Sequence, residues 1–278
     1  MANVRTPNTS EEMETVTSAD GTEIAFERTG SGPPLVLVAG GATTDHTRWD
    51  QAGVRPAFAE HCTVYAMDCR GRGESGDADE YELEREVEDV AAVVDAISDP
   101  VTLLGHSVGA LYSLEATLRT DNIDRLILYE PPIAVGDHEL GVEAVVDGIE
   151  TLLADGEKEQ ALVLFLQEVG GLSPEELDAL RSAPTWRDRV DIAHIIPRGL
   201  KAVAEYEFDA DRFTDLTTPA LLLSGSESPP LYRDGIDAVN KALPNSRTVT
   251  FDGHAHVAML TATDHFLDEV LAFIRESN

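Results

Sequence analysis

Basic side chains are scarce in this chain of 278 residues, and lysine is nearly missing. The sequence has 20 Lys and Arg against 52 Asp and Glu, a formal net charge of −32, and its only lysines are Lys158, Lys201 and Lys241. Such a surface repels the phosphate backbone of nucleic acids, which are therefore not expected partners.

The charge excess has a second consequence for folding. Like charges repel one another in the compact state, and at about 1 M salt the screening length falls to about 3 Å. We therefore expect concentrated salt to favour the folded state. The acid excess with so little lysine is typical of proteins from salt-loving organisms, and an ordinary acidic bacterial protein is the alternative.

Cysteine is also rare, with only Cys62 and Cys69 in the whole chain. They flank an apparent strand, Thr63–Asp68, whose extended length of roughly 3.3 Å per residue keeps them too far apart for a disulfide. Two isolated thiols do not form a cysteine zinc site, and neither HExxH nor CxxC occurs. The sequence therefore predicts no metal and no cofactor.

Long apolar runs are missing as well. No segment approaches the roughly 18 apolar residues that a membrane helix requires, and the first residues lack the apolar core of a signal peptide. We expect a cytoplasmic protein without membrane association. Hydrophobic residues make up 42% of the sequence, which is enough for a folded core.

Short β-branched and leucine-rich runs alternate with amphipathic stretches, a pattern that predicts an α/β fold with a mostly parallel sheet. The predicted strands are Glu14–Ser18, Glu23–Thr29, Pro34–Val38, Thr63–Asp68, Val101–Leu104, Arg125–Tyr129, Ala220–Leu223 and Thr248–Phe251. The first two flank Asp20-Gly21, a typical hairpin turn. The predicted helices are Tyr81–Ile97, Val108–Arg119, Tyr232–Leu243 and Ala258–Arg275.

One interval interrupts the alternation of strands and helices. Residues 131–218 contain helical patterns but no convincing strand, and Ser173-Pro174-Glu175-Glu176 matches a capping box. We therefore predict a core formed by residues 1–130 and 219–278, with residues 131–218 inserted as a helical cap.

The most informative motif is Gly105-His106-Ser107-Val108-Gly109, which lies between a predicted strand and a predicted helix. In that context G-x-S-x-G forms a sharp turn that exposes the serine, so Ser107 is the candidate nucleophile. A serine hydroxyl needs a base to accept its proton. His256, in the loop before the last helix, is the better candidate base, and His254 is expected to face solvent or line the pocket.

Two more segments complete a family pattern. The run Leu35–Gly41, followed by Trp49, and the segment Asp68–Ser75, which fits D-x-R-G-x-G-x-S, join the elbow and the late histidine in the order seen in α/β-hydrolase-fold enzymes. The sequence resembles that family over nearly its whole length. The resemblance implies an eight-stranded α/β-hydrolase sheet with helices on both faces and structural roles for Asp68 and Arg70.

The same resemblance implies an oxyanion hole made by the backbone N–H groups of Gly41 and Val108. Many relatives carry His-Gly where this chain has Ala39-Gly40. Because the donors are backbone groups, the change is expected to alter how the loop is held without removing the hole. It weakens any transfer of substrate from those relatives.

The acid of a catalytic triad is harder to assign. The usual family position after the strand Ala220–Leu223 holds Ser228, which does not ionise. Two carboxylates can replace it. Glu227 is one residue early, and Glu130 ends an earlier strand, from which some family members take their acid; we favour Glu130.

These features favour a metal-free serine hydrolase that acts on a small ester or related carbonyl compound. Carbon–carbon bond hydrolases and cofactor-free haloperoxidases of the same fold also use serine and stay open as alternatives. A non-catalytic ligand-binding member of the fold is a further alternative, suggested by Ser228 and Ala39. The expected partner is a small-molecule substrate, and the oligomeric state is left open.

Overall fold

The fold is built on one eight-stranded sheet with the strand order β1-β2-β4-β3-β5-β6-β7-β8. The computed structural model describes residues 12–136, 138 and 140–276, so the extreme N-terminal segment considered above for a signal peptide lies outside it. The strands are β1 (Glu12–Thr17), β2 (Glu23–Gly30), β3 (Pro34–Val38), β4 (Thr63–Met67), β5 (Val101–His106), β6 (Ile123–Tyr129), β7 (Ala220–Gly225) and β8 (Ser246–Phe251). All eight predicted strands are present.

The strand directions also agree with the prediction of a mostly parallel sheet. Strands β1 and β2 form the predicted antiparallel hairpin, and β2 pairs antiparallel with β4, whereas all later pairs are parallel. The carboxyl ends of β3, β5, β6, β7 and β8 therefore meet along one edge of the sheet, where ligands bind in open α/β folds.

Helices cover both faces of the sheet. They are α1 (Val54–Ala59), α2 (Leu83–Asp95), α3 (Val108–Ala116), α4 (Glu143–Ala154), α5 (Lys158–Glu168), α6 (Pro174–Arg181), α7 (Trp186–Asp191), α8 (Ile196–Ala204), α9 (Pro230–Ala242), α10 (Ala258–Thr261) and α11 (Thr263–Arg275). Short 3₁₀ segments lie at His46–Gly53, Ala193–Ile195 and Ala210–Phe213.

The alternation of side chains along the strands divides the core into two layers. In β3, Val36 and Val38 pack with α2, α3 and α9, whereas Leu35 and Leu37 pack with α1 and α11. Both faces of such a strand are buried, which explains why its sequence is a continuous apolar run rather than an alternating one.

The segment between β6 and β7 is helical, as predicted. Helices α4 to α8 share their own apolar cluster, which includes Ile149, Leu162, Phe165 and Ile196. Helix α6 begins with the predicted capping box, in which Ser173 and Glu176 bond reciprocally to each other's backbone N–H groups. Residue bounds of 131–218 for a separate cap stay a prediction.

The structure corrects the prediction of one continuous helix over Ala258–Arg275. The helix breaks at Ala262, whose φ and ψ are −136° and 44°. The hydroxyl groups of Thr261 and Thr263 bond to nearby groups, His254 Nδ1 and the Met259 carbonyl, and such side-chain bonds compete with regular helix formation. Helix α1 had no predicted counterpart.

Cys62 and Cys69 are both buried and both free, in agreement with the prediction of no disulfide. Among the described residues, no helix combines the length and the apolar character needed to cross a bilayer.

Candidate active site

Ser107 lies at the turn between β5 and α3, at the carboxyl edge of the sheet. Its backbone has φ 55° and ψ −126°, a conformation that is strained for a residue with a side chain. The Ser107 N–H donates to the Tyr129 carbonyl at 2.8 Å, which attaches the turn to the end of β6. The sequence motif thus forms the sharp turn that its spacing predicts, with Ser107 half-buried.

Glycines make this turn possible by allowing other chain segments to approach closely. A Cβ at Gly105 would lie 2.4 Å from the Gly109 carbonyl oxygen, and one at Gly109 would lie 2.5 Å from the Val38 carbonyl oxygen. A Cβ at Gly40 would lie 2.6 Å from the Cβ of Ser107. The loop after β3 therefore abuts the candidate nucleophile directly, and each of the three positions requires glycine.

Glu130 follows β6 and is fully buried. Its φ of 47° is again strained, all the more because Pro131 follows it. One carboxylate oxygen accepts from the Gly225 N–H at 2.7 Å and from the Ser224 hydroxyl at 3.1 Å. The other lies 2.7 Å from His256 Nδ1.

The loop that carries His256 is held by the end of β6. The Tyr129 hydroxyl donates to the Ala255 carbonyl at 2.6 Å and accepts from the Ala258 N–H at 2.8 Å. Tyr129 and its neighbour Glu130 therefore fix the backbone and the ring of the same loop. His254, in contrast, bonds through its ring to Thr261.

The structure separates the two candidate acids. Glu227 is exposed, and its carboxylate is 3.5 Å from the Ser226 hydroxyl. Glu130 is the carboxylate that contacts the His256 ring. Ser228, which occupies the usual family position of the acid, is buried close enough to Glu130 to affect its carboxyl group.

The electrostatic setting keeps Glu130 ionised. Burial alone would raise the pKa of this carboxyl group, but the hydrogen bond and charge of His256 and the Gly225 N–H lower it below its ordinary value. The Ser228 hydroxyl adds to this lowering, although its oxygen does not reach hydrogen-bonding geometry. A negative charge beside Nδ1 holds the proton on that ring nitrogen and leaves Nε2 as an acceptor.

Two aromatic neighbours of His256 were missed by the sequence predictions. His106, the second residue of the elbow motif, places Nε2 2.8 Å from the His256 carbonyl oxygen, and the two ring centroids are 4.7 Å apart. Tyr232 stacks on the His256 ring, with the two ring centroids 4.2 Å apart. No spacing in the sequence indicates either contact, because each joins segments that are distant along the chain.

His106 is neutral in this environment. Burial, followed by the nearby charges of His256 and Arg48, lowers the pKa of His106 well below its ordinary value. A carbonyl oxygen only accepts, so the His106 proton lies on Nε2, which donates to His256. Since His106 directly precedes Ser107, this bond brings the candidate base beside the elbow.

One candidate oxyanion donor, Val108, directly follows Ser107, and the other, Gly41, lies in the loop after β3 whose Gly40 approaches Ser107. Val108 is the first residue of α3, so its N–H has no partner within the helix. Gly41 has φ 94°, and the carbonyl of its neighbour Gly40 accepts from the Thr44 hydroxyl. Arg72 donates to the Ala42 carbonyl at 3.0 Å, a contact that holds the loop where the family's His-Gly pair is missing.

The D-x-R-G segment supports this loop rather than contacting Ser107. Asp68 accepts from the His46 N–H at 2.7 Å and from the Glu74 N–H at 3.0 Å. The buried Arg70 forms two bonds of 2.7 Å to Asp89, a paired geometry that fixes both side chains. These contacts agree with the structural roles expected for Asp68 and Arg70.

Within the described residues, one group of side chains has metal-ligand atoms close together. Asp45, His46 and Asp68 place such atoms within 4.8 Å of one another. Asp68 already bonds to the His46 ring and backbone, and Asp45 caps the following 3₁₀ segment by accepting from the Thr47 N–H. These bonds account for the cluster without an ion.

The model of the alpha/beta hydrolase family matches residues 35–271. The crystal structure of an alpha/beta hydrolase from Sphaerobacter thermophilus is 36% identical and superimposes with a TM-score of 0.73, covering 91% of this chain and 99% of that one.

Curated relatives include an esterase and another hydrolase. Pimeloyl-[acyl-carrier protein] methyl ester esterase of Xylella fastidiosa is 26% identical over 261 residues, covering 87% of this chain and 98% of the relative. The 2-hydroxy-6-oxo-6-(2'-aminophenyl)hexa-2,4-dienoic acid hydrolase of Metapseudomonas resinovorans is 28% identical over 120 residues. That match spans 42% of this chain and 41% of the relative.

Proposed function

The chain belongs to the alpha/beta hydrolase family, and from this membership we propose that it is a serine hydrolase acting on a small ester or related carbonyl substrate. Ser107 is the nucleophile, His256 the base and Glu130 the acid. The N–H groups of Gly41 and Val108 stabilise the oxyanion.

The reaction follows from the chemistry of these groups. The Ser107 hydroxyl oxygen forms a bond to the substrate carbonyl carbon while its proton passes to His256 Nε2. The carbonyl electron pair moves onto oxygen, where the two backbone N–H groups stabilise it. Return of the electron pair breaks the bond to the leaving group, which takes the proton from His256. Water then attacks the acyl-enzyme by the same steps.

The proposal depends above all on the hydrogen bonds that connect Glu130, His256 and His106 beside Ser107. A buried carboxylate 2.7 Å from Nδ1 orients the imidazole, and the His106 bond of 2.8 Å fixes the same residue from the nucleophile's side. Strained backbone at both Ser107 and Glu130 supports a functional rather than a purely structural origin.

A fluorophosphonate probe tests this proposal directly, because it reacts with activated serines. We expect covalent labelling at Ser107, identified by mass spectrometry of peptides, and loss of both labelling and ester hydrolysis in Ser107→Ala. The exposed Ser182→Ala variant serves as the matched control and is expected to keep both. Absence of labelling in the folded wild-type protein would favour a non-catalytic binding protein.

A second candidate is hydrolysis of a carbon–carbon bond in a keto acid. Similarity to the 2-hydroxy-6-oxo acid hydrolase over 120 residues favours it. The same Ser107 and His256 would act on a ketone carbonyl, and the leaving group would be a carbon rather than an oxygen. Parallel assays with short-chain p-nitrophenyl esters and with a 2-hydroxy-6-oxo-dienoate distinguish the two activities by their kcat/KM values.

We also propose that the helical segment between β6 and β7 covers the substrate pocket. Ala42, next to Gly41, packs against the apolar cluster of that segment, and Arg189 of α7 donates to Thr43 at 3.1 Å. Contacts between the segment and the loop after β3 make its side chains candidates for substrate recognition.

A further inference from the structure

In the part of the chain that the structure describes, two arginines near the candidate active site form no ion pair with a carboxylate, which is unusual in a chain of net charge −32. Most described arginines form ion pairs with carboxylates, including the buried Arg70 and Arg72. Among the described residues without such a pair, Arg233 and Arg275 are exposed to solvent. Arg48 and Arg189, in contrast, are half-buried.

Arg48 and Arg189 line the same small cavity, which is about 20 Å³ in volume. Arg189 donates from Nε to the buried Thr43 hydroxyl at 3.1 Å, and Arg48 donates to Gln51 at 2.6 Å. Both partners are neutral, so neither compensates the positive charge. This volume exceeds the roughly 10–15 Å³ that one water molecule requires, so the cavity has room for a small polar group.

The one carboxylate on this cavity, that of Asp45, already has partners. It accepts from the Thr47 N–H at 2.9 Å and from the Thr47 hydroxyl at 2.5 Å. Two guanidinium groups and one carboxylate leave the cavity with an excess of positive charge.

The two cations also oppose one another. Burial and then the charge of Arg48 lower the pKa of Arg189 to about 10 although the charge of Asp45 opposes them, and burial lowers the pKa of Arg48 as well. Both side chains remain cationic at neutral pH. An anion between them would relieve the repulsion and replace the water lost on burial.

The cavity is close to the reacting groups. Thr43 is two residues from Gly41, so their Cα atoms are at most about 7.6 Å apart. The same loop contacts Ser107 through Gly40, and the charge of Arg48 reaches His106. A substrate whose carbonyl carbon lies at Ser107 therefore needs only a short linker to place a second group in this cavity.

We propose that Arg48 and Arg189 bind a carboxylate of the substrate, so that the enzyme prefers monoesters of short dicarboxylic acids or comparable carbonyl compounds that carry an acid group. This assignment rests on the proposed serine hydrolase function. Guanidinium groups match carboxylate geometry through paired N–H donors, whereas the neutral Thr43 and Gln51 serve to orient them.

The test compares anionic and neutral esters with the same leaving group. Wild-type kcat/KM is measured for p-nitrophenyl hemisuccinate and hemiglutarate and for p-nitrophenyl butyrate and valerate, all at one salt concentration. We expect a preference for the anionic esters that falls about tenfold to a hundredfold in Arg48→Gln and in Arg189→Gln, the effect of losing one charged hydrogen bond. The kcat/KM for the neutral esters should fall much less than that for the anionic esters.

Arg187→Gln is the matched control, because this exposed arginine lies on the same helix and has only a 3.6 Å ion pair with Asp191. It should leave the preference unchanged. Equal preference for both esters in the wild type would overturn the assignment, as would equal losses on both esters in the two cavity variants.

A binding measurement separates this inference from the hydrolase proposal. Calorimetric titration of Ser107→Ala with glutarate and with neutral glutaramide measures binding without catalysis. It also does not depend on whether the Arg48 and Arg189 variants fold. Tighter binding of glutarate supports the carboxylate site even if Ser107 fails to react with fluorophosphonate. Labelled Ser107 with no selectivity for glutarate would instead refute the carboxylate site and leave the hydrolase function standing.

Discussion

Replacing Glu130 with glutamine is the sharpest test of how the candidate active site operates. Glutamine has nearly the same shape, and its amide oxygen can still accept from the Gly225 N–H, which lies 2.7 Å from the native carboxylate. The amide nitrogen would then face His256 Nδ1, where the native oxygen lies at 2.7 Å. An N–H group opposite a protonated Nδ1 places two donors against each other.

The imidazole can escape this clash only by moving its proton to Nε2. In that tautomer Nε2 no longer accepts the Ser107 proton, so the general base is lost. Loss of the correct tautomer in a serine triad costs about 10⁴-fold in kcat, or roughly 5.5 kcal/mol of barrier. Folding should change far less, because the Gly225 bond is kept and no cavity is created.

The assay measures kcat for a p-nitrophenyl ester in Glu130→Gln and in the control Glu227→Gln, with thermal unfolding as a check on folding. We expect the large loss only at position 130, since the Glu227 carboxylate is exposed and contacts Ser226 instead. A loss of less than about tenfold in Glu130→Gln, or a larger loss in Glu227→Gln, would refute this assignment of the acid.

Three further outcomes follow from charge and hydrogen bonding. The unfolding midpoint and the ester hydrolysis rate should both rise from dilute buffer to about 1 M KCl, because salt screens the net charge of −32; maximal stability without salt would contradict this. Because buried His106 is neutral in the folded protein, the unfolded chain binds one more proton below about pH 6.5, and acid should destabilise the wild type more than His106→Gln, by at most about 1.4 kcal/mol per pH unit. Urea unfolding of both proteins at several pH values measures this, and equal dependence of their unfolding free energies on pH would contradict it. Tyr129→Phe removes the hydroxyl bonds to Ala255 and Ala258, so it should lower the free energy of unfolding by about 1–3 kcal/mol and slow ester hydrolysis. The control Tyr65→Phe, at a half-buried site distant in sequence from this loop, should have neither effect.

Much of the secondary structure could be predicted from the sequence, because strands and turns depend on residues that are close together in the chain. Continuous apolar runs such as Pro34–Val38 predict strands buried on both faces, and the Asp20-Gly21 turn predicts the hairpin. The strand, turn and helix around Ser107 lie within a few residues of one another, so spacing alone identifies the elbow. The helix break at Ala262 was missed because the helical pattern of Ala258–Arg275 gives no sign of the side-chain bonds that Thr261 and Thr263 form beside it.

The acid of the candidate triad could not be assigned from the sequence alone. Glu130 and His256 are separated by 126 residues, and Ser228 occupies the family position of the acid. Both Glu130 and Glu227 lie near strand ends on the same edge, so the sequence ranks them only by analogy. The backbone turn at Glu130, with φ 47°, aims one carboxylate inward at the ring while Glu227 remains in solvent.

The sequence by itself thus determined the strands, the helical insertion, the elbow at Ser107 and the acidic surface, all of which depend on residues close in the chain or on composition. Only the tertiary structure brought Glu130 and His106 to His256, and Arg48 to Arg189 of a different segment. Hydrogen bonds and charge repulsion act over a few ångströms of space, and the distances between segments far apart in sequence are set by how the sheet and its covering helices pack.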